Sequence, residues 1–388
     1  MILPVLDAIA RVARDTPPRT TWQIKVGTHC NLRCRYCYEW DRLGDRGRLS
    51  LEQWRHVFEA IRAHRIHRVR EMGRDVVTTI VWHGGEPTLH PPAYVRAVLD
   101  LQRDVLGELT TGPECVRNAV QTNLMSIGET LSLMVEAGFV VSVSTDFAPG
   151  VRVDARGRDT DTRVCSNLER LLACGTTCGV ALVLGQHNGQ RLEQVYDVVE
   201  CMGAAWLNII PMFRPPVAAP GADLLLDPIE VVNVLERLFV HWISHGARMP
   251  VHPLGRVLRT VFRASAAFQA ESDSADRRVV RLIVQPDGTL QEQIGAAFRS
   301  VSLGNVFTHS FDEILHAPEW EAARHERNSL RARHCLSCAY HRTCDGKAVL
   351  DAPHTLAEGP CPVESALCAR VERHLERAGI VAVDEAVW

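Results

Sequence analysis

Short apolar runs rich in β-branched residues alternate along this chain with stretches whose apolar positions recur every third or fourth residue. The runs read as strands and the periodic stretches as amphipathic helices. Residues 22–26 form the first strand. Leu51, Trp54, Val57, Phe58 and Ile61 then mark a helix over 49–65, with Ser50 as its N-cap and Trp54 on its core face. His64, His67 and the arginines around them are expected on a solvated face. Strands follow over 76–82, 116–120, 139–143, 179–184 and 206–210. Helices lie between them over 92–106, 129–137, 168–173 and 192–202, and Gly138 closes the second of these. About six strand–helix units in series imply parallel strands with helical crossovers. Polar residues collect at the C-terminal ends of the strands, where such sheets build their sites. The pattern predicts an α/β partial barrel of about six units, open on one side and wide enough for a peptide.

Beyond this core the pattern changes. Residues 214–220 are rich in proline and alanine, and helices over 228–245 and 254–268 form a bridge. A charged connector over 271–276 leads to a strand over 279–284. Pro286-Asp287-Gly288 then signals a hairpin turn, with the return strand starting at Thr289. The expected divisions are a lead-in over 1–21, the barrel over 22–213, the bridge over 214–278 and a distinct module over 279–388.

Composition narrows the function. The chain has 388 residues, 46% hydrophobic and 23% charged, with a net charge of −3. No basic surface for nucleic acid is implied. No apolar run approaches the ~18 residues of a membrane helix. The N-terminus is apolar but lacks a basic start and carries Asp7, so it is a poor signal peptide. Thirteen cysteines, odd in number and clustered, point to metal in a reducing cytoplasm rather than disulfides.

The clusters carry the chemistry. Cys30, Cys34 and Cys37 lie in one short loop after the first strand. The spacing suits a four-iron cluster with one iron left open to a small ligand. A zinc site lacking its fourth ligand, with His29 adjacent, is the rival reading. The second strand runs into His83-Gly84-Gly85-Glu86-Pro87. Glycines there let backbone approach a ligand, and the carboxylate can accept from an ammonium group. Near the C-terminus, Cys335-x-x-Cys338 is followed by Cys344, Cys361 and Cys368, which reads as a closed zinc or iron–sulfur site. Cys115, Cys165, Cys174, Cys178 and Cys201 read as buried small residues, and His187 and Asp197 as structural.

Together these motifs resemble the radical S-adenosylmethionine (SAM) enzymes with a SPASM-like extension. The resemblance covers about residues 22–212 and 279–370 and implies a partial (β/α)6 barrel followed by an iron–sulfur module. It implies a SAM-binding [4Fe–4S] cluster on Cys30, Cys34 and Cys37. SAM would be contacted by Tyr36, Gly84, Gly85, Glu86, Thr122, Asn123, Ser144, Asp146 and Arg152. Phe147 stands where the family usually has glycine. One auxiliary [4Fe–4S] cluster is implied on Cys335, Cys338, Cys344 and Cys368, with Cys361 as rival ligand. A full SPASM array has further cysteines at the positions of 291–293 and Ala348, so the first auxiliary cluster is expected to be absent. The resemblance also implies a ribosomally made precursor peptide as substrate and a flavodoxin- or ferredoxin-type electron donor. Many relatives carry a peptide-binding domain ahead of the first cluster, for which this chain has no room. Recognition would then fall to the core, the C-terminal region or a separate leader-peptide-binding protein. The implied activity is a side-chain crosslink, cyclophane-type carbon–carbon bonding first. Formylglycine formation, thioether formation and epimerisation are the alternatives, and a non-catalytic iron–sulfur or zinc module is a remote one. Asp146 and His83 are the candidates for a proton acceptor.

Overall fold

The structure is a computed structural model, and it describes residues 18–107, 116–212, 218–264, 279–292, 302–344, 346 and 361–380. The lead-in helix, Cys115, the 271–276 connector, Gln293 and Ala348 lie outside the described residues.

The strands are β1 (Arg19–Gly27), β2 (Leu32–Cys34), β3 (Val77–Gly84), β4 (Val116–Thr122), β5 (Val140–Ser144) and β6 (Arg152–Asp154). They continue with β7 (Cys178–Leu184), β8 (Leu207–Pro211), β9 (Val251–His252), β10 (Val279–Val284), β11 (Thr289–Gln291) and β12 (Gly304–Asn305). Ten of them form one sheet in the order β12-β11-β10-β1-β3-β4-β5-β7-β8-β9. Every pairing from β10 to β9 is parallel. The six expected strands are therefore adjacent, with their C-terminal ends on one side. The sheet is open, with β12 and β9 at its two edges.

The helices are α1 (Leu51–Met72), α2 (Pro92–Leu106), α3 (Glu129–Glu136), α4 (Asp161–Ala173) and α5 (Leu192–Cys201). After them come α6 (Pro228–Ser244), α7 (Leu254–Ala264), α8 (Phe311–Leu315), α9 (Pro318–His334) and α10 (Glu364–Arg377). Alternate strand residues such as Trp22, Ile24, Ile80, Trp82, Val120, Val141 and Leu182 are fully buried in the main apolar cluster. Trp54 of α1 stacks on Phe58 at 5.1 Å and meets Trp82 at 4.8 Å. None of these helices is long and apolar enough to cross a membrane.

One expectation is overturned in α1. Ser50 caps it with a full capping box, but the helix continues to Met72 and stops at Gly73, whose φ is 63°. His64, Arg65 and Arg68 are buried rather than solvated. His64 packs on Trp22 at 5.5 Å and on Phe311 at 4.9 Å. Arg65 donates to the Val76 carbonyl, and Arg68 pairs with Glu71. The sequence pattern missed this because the partner, Phe311, comes from the far end of the chain.

The C-terminal third joins the same sheet. β10 pairs with β1 from Arg19↔Val279 to Ile24↔Val284. The hairpin turn at Gly288 has φ 86°, and Asp287 accepts from the Thr289 amide at 3.0 Å. α10 is clamped to the bridge helices. Arg256 of α7 pairs with Glu364, and Glu236 of α6 takes Arg370 and His374.

Candidate active site

The cysteine loop begins where β1 ends. The Cys30 amide donates to the Leu43 carbonyl at 3.1 Å, and the Cys37 amide to the Cys34 carbonyl at 3.0 Å. Between them, β2 pairs antiparallel with β6, setting Cys34 opposite Arg152. This ribbon had no clear signature in the sequence. All three thiols are half-buried. Burial pushes Cys30 up to about 11 and Cys37 up to about 12, and raises Cys34 as well. Sulfur acceptors are already served: the Leu32 amide lies 3.4 Å from Cys30 Sγ, and Asn123 Nδ2 lies 3.6 Å from it. Three thiols in one loop, lined by N–H donors, fit an iron–sulfur cluster. Among the described residues, no three His, Cys, Asp or Glu side chains converge at single-ion spacing.

Gly84 and Gly85 bring the end of β3 against this loop. A Cβ on Gly84 would lie 2.0 Å from the Gly27 carbonyl oxygen, and one on Gly85 2.0 Å from that of His29. The Gly85 and Glu86 amides donate to Gly27 and His29 at 2.9 and 2.8 Å. The room these glycines make is thus filled by the loop's own backbone. The buried Glu86 carboxylate accepts from the Thr88 amide at 3.0 Å, Thr88 Oγ1 at 2.6 Å, Thr122 Oγ1 at 2.8 Å and the Asn123 amide at 2.6 Å. Burial raises its pKa, against these hydrogen bonds. Three donors converge on Oε1 and one reaches Oε2, so the side chain ties β3 to β4.

A second network lies across the loop. Asp146 is fully buried, and its Oδ1 accepts from the Val183 amide at 2.9 Å. Tyr36 donates to its Oδ2. Arg152 Nη1 donates to the Tyr36 hydroxyl at 2.8 Å and lies 3.9 Å from Asp146. Burial opposes the Arg152 charge, but Cys34, Tyr36 and Asp146 outweigh it and hold the guanidinium charged. Its Nε is buried without a hydrogen-bond partner. Phe147 has φ 51°, the left-handed region. That explains why glycine suits this position.

Ser144 accepts from Gln121 at 3.1 Å rather than joining Asp146. His83 is lowered to about 4, chiefly by burial, and is neutral. Sequence reasoning missed Asn188, whose Nδ2 donates to the Asp146 and Val183 carbonyls at 3.3 and 3.0 Å. It also set His187 aside. That ring stacks on Tyr36 with centroids 6.1 Å apart. Its place just past the C-terminal end of β7 was the available signal.

Of the cysteines expected to be buried small residues, Cys178 is buried and Cys165 half-buried, but Cys174 and Cys201 are exposed. The C-terminal cysteines run from the end of α9 into α10. Cys335 closes α9, its carbonyl accepts from the Cys338 amide at 2.9 Å, and the Gly346 amide reaches Cys344 Sγ at 3.4 Å. Cys361 and Cys368 are both buried. Burial first, then neighbouring acids and thiols, raise both pKa values, with Cys338 acting on each and Cys344 on Cys368.

Residues 24–199 match the Radical SAM superfamily model. The serine-type anaerobic sulfatase-maturating enzyme of Bacteroides thetaiotaomicron is 20% identical, over 83% of this chain and 80% of that protein. Its counterpart from Klebsiella aerogenes is 25% identical, over 83% and 77%. Native anSMEcpe with bound AdoMet and Cp18Cys peptide superimposes with a TM-score of 0.67 at 20% identity, covering 93% of this chain and 97% of that one. SuiB of Streptococcus suis bound to S-adenosylmethionine gives 0.56 at 16% identity, covering 88% and 76%.

Proposed function

We propose that this chain, whose residues 24–199 form a radical SAM domain, oxidises a side chain of a peptide or protein by removing a hydrogen atom. The observation that carries the reading is the buried Tyr36–Asp146–Arg152 network packed against the loop of Cys30, Cys34 and Cys37. Those three cysteines would hold a [4Fe–4S] cluster and leave one iron open to SAM. When bound, the two supply a 5′-deoxyadenosyl radical able to take hydrogen from an unactivated carbon.

The chain's own residues bind and orient. Arg152, held charged, offers a guanidinium to the SAM carboxylate, and its buried Nε awaits a partner. Asp146 fixes Tyr36 and so the aromatic wall of the loop. Gly84, Gly85 and Glu86 bound the space for the SAM amino group. Thr122 and Asn123 are held there by Glu86, and Ser144 borders the same strand ends. Cys335, Cys338, Cys344 and Cys368 would hold an auxiliary cluster, with Cys361 as the rival ligand. A small one-electron carrier of the flavodoxin or ferredoxin type would supply electrons.

The product read first is a side-chain crosslink in a precursor peptide, because Gln291 and its neighbours replace a cysteine of the full SPASM array. Formylglycine formation is the second reading, supported by relatives named sulfatase-maturating that align over most of their length. Anaerobic iron and sulfide analysis tests the frame. About eight irons per chain, falling to about four with loss of SAM cleavage in a Cys30/Cys34/Cys37 triple alanine variant, is expected. Zinc with no cleavage would overturn it. Mass spectrometry then separates the products. Both lose two hydrogens when formed from serine-containing peptides, but only the aldehyde reacts with a hydrazide.

A further inference from the structure

The two faces of the sheet differ sharply. On β3, Thr78, Ile80 and Trp82 are buried while Val81 and His83 are half exposed. On β5, Val141 and Val143 are buried while Ser142 and Ser144 are half exposed, and β8 alternates likewise. Along β3, β5 and β8 the face away from the main apolar cluster is therefore partly open, whereas on β1 the Gln23 and Lys25 side of that face is buried, and it is polar where it meets the cysteine loop. Lys25 and His83 are register partners on that face, and Gln23 lies two residues before Lys25. Tyr38 and Glu39 follow Cys37 directly. Lys25 pairs with buried Glu39 and sits 4.8 Å over the Tyr38 ring. Three atoms of this group are buried without a hydrogen-bond partner: Gln23 Nε2, Tyr38 Oη and His83 Nδ1.

We propose that Gln23, Tyr38 and His83 form the subsite that receives the reacting residue of the substrate, and that this residue carries a hydroxyl or carboxamide side chain. The inference rests on the peptide-modifying reading and names its substrate class. The group offers an amide N–H, a phenolic O–H and a ring nitrogen, so it can both donate and accept. It carries no surplus charge for a carboxylate, because Glu39 already neutralises Lys25. An aliphatic or aromatic side chain would leave the three atoms unmet. Sites built to hydrogen-bond a substrate reject analogues that cannot.

The test uses fluorophore-labelled Gly-Gly-Xaa-Gly-Gly peptides with Ser, Asn, Leu or Phe at Xaa. Their binding to reconstituted enzyme with SAM and no reductant is read by anisotropy. The Ser and Asn peptides should bind about tenfold tighter than the Leu and Phe peptides. That preference should vanish in Gln23→Leu and shrink in Tyr38→Phe, with SAM binding measured on each to show the fold is kept. Equal binding, tighter binding of Leu or Phe, no binding of any at millimolar peptide, or a preference that survives both substitutions would overturn the subsite. SAM cleavage under dithionite is assayed separately. Its absence would sink the radical enzyme reading instead.

Discussion

Asp146 shows how one carboxylate organises a site. It anchors Tyr36 directly and faces Arg152 at 3.9 Å, with no water-exposed side. Replacing it with alanine leaves a buried guanidinium without its counter-charge, at about 3–5 kcal/mol. The Asp146→Ala/Arg152→Met double variant should cost less than the sum of the singles, as chemical denaturation would show. His64 gives a pH signature. Its value is lowered to about 3 by burial first, then by Arg68. An unfolded chain takes up that proton near pH ~6.5, so stability is full above that point and falls as pH drops toward about 3. His64→Leu should remove about 2 kcal/mol of the loss between about pH 7 and about pH 5, read from denaturation midpoints at both. At this scale the ligands were legible because cysteine spacing is local. The burial of His64 and Arg68 was not, since nothing near them in sequence announces Phe311.

Elements explain what the glycines are for. Gly84 and Gly85 let the end of β3 come against Gly27 and His29, where a Cβ on either would collide with backbone. Gly85→Ala should therefore push the cysteine loop off β3. We expect a folded protein by circular dichroism that retains only the auxiliary iron after reconstitution. Retention of full iron content would show that the loop can yield. Most strands and helices were readable from periodicity, several to within a residue, as with α2. The β2–β6 ribbon was not, because three-residue strands carry too little pattern. α9 and α10 were also missed. Their exposed faces are dense in charge, and the apolar stripe of α10 is only Leu367, Val371 and Leu375 beside Cys368.

At the scale of the whole molecule, the parallel β10–β1 pairing makes the C-terminal third part of the barrel's sheet. A fragment ending at residue 278 would bare the edge of β1 and uncover Trp22 and His64. It should aggregate on expression, whereas a soluble monomer in sedimentation would show that the barrel stands alone. The same pairing sets a timetable. β1 leaves the ribosome long before its neighbour β10, with the whole of the barrel made between them. Cys34 likewise waits for Arg152 before its loop has a partner strand. The nascent chain thus carries its cluster thiols and an unpaired strand until β6 and β10 have emerged, which places cluster loading late and makes slow translation before β10 a hazard.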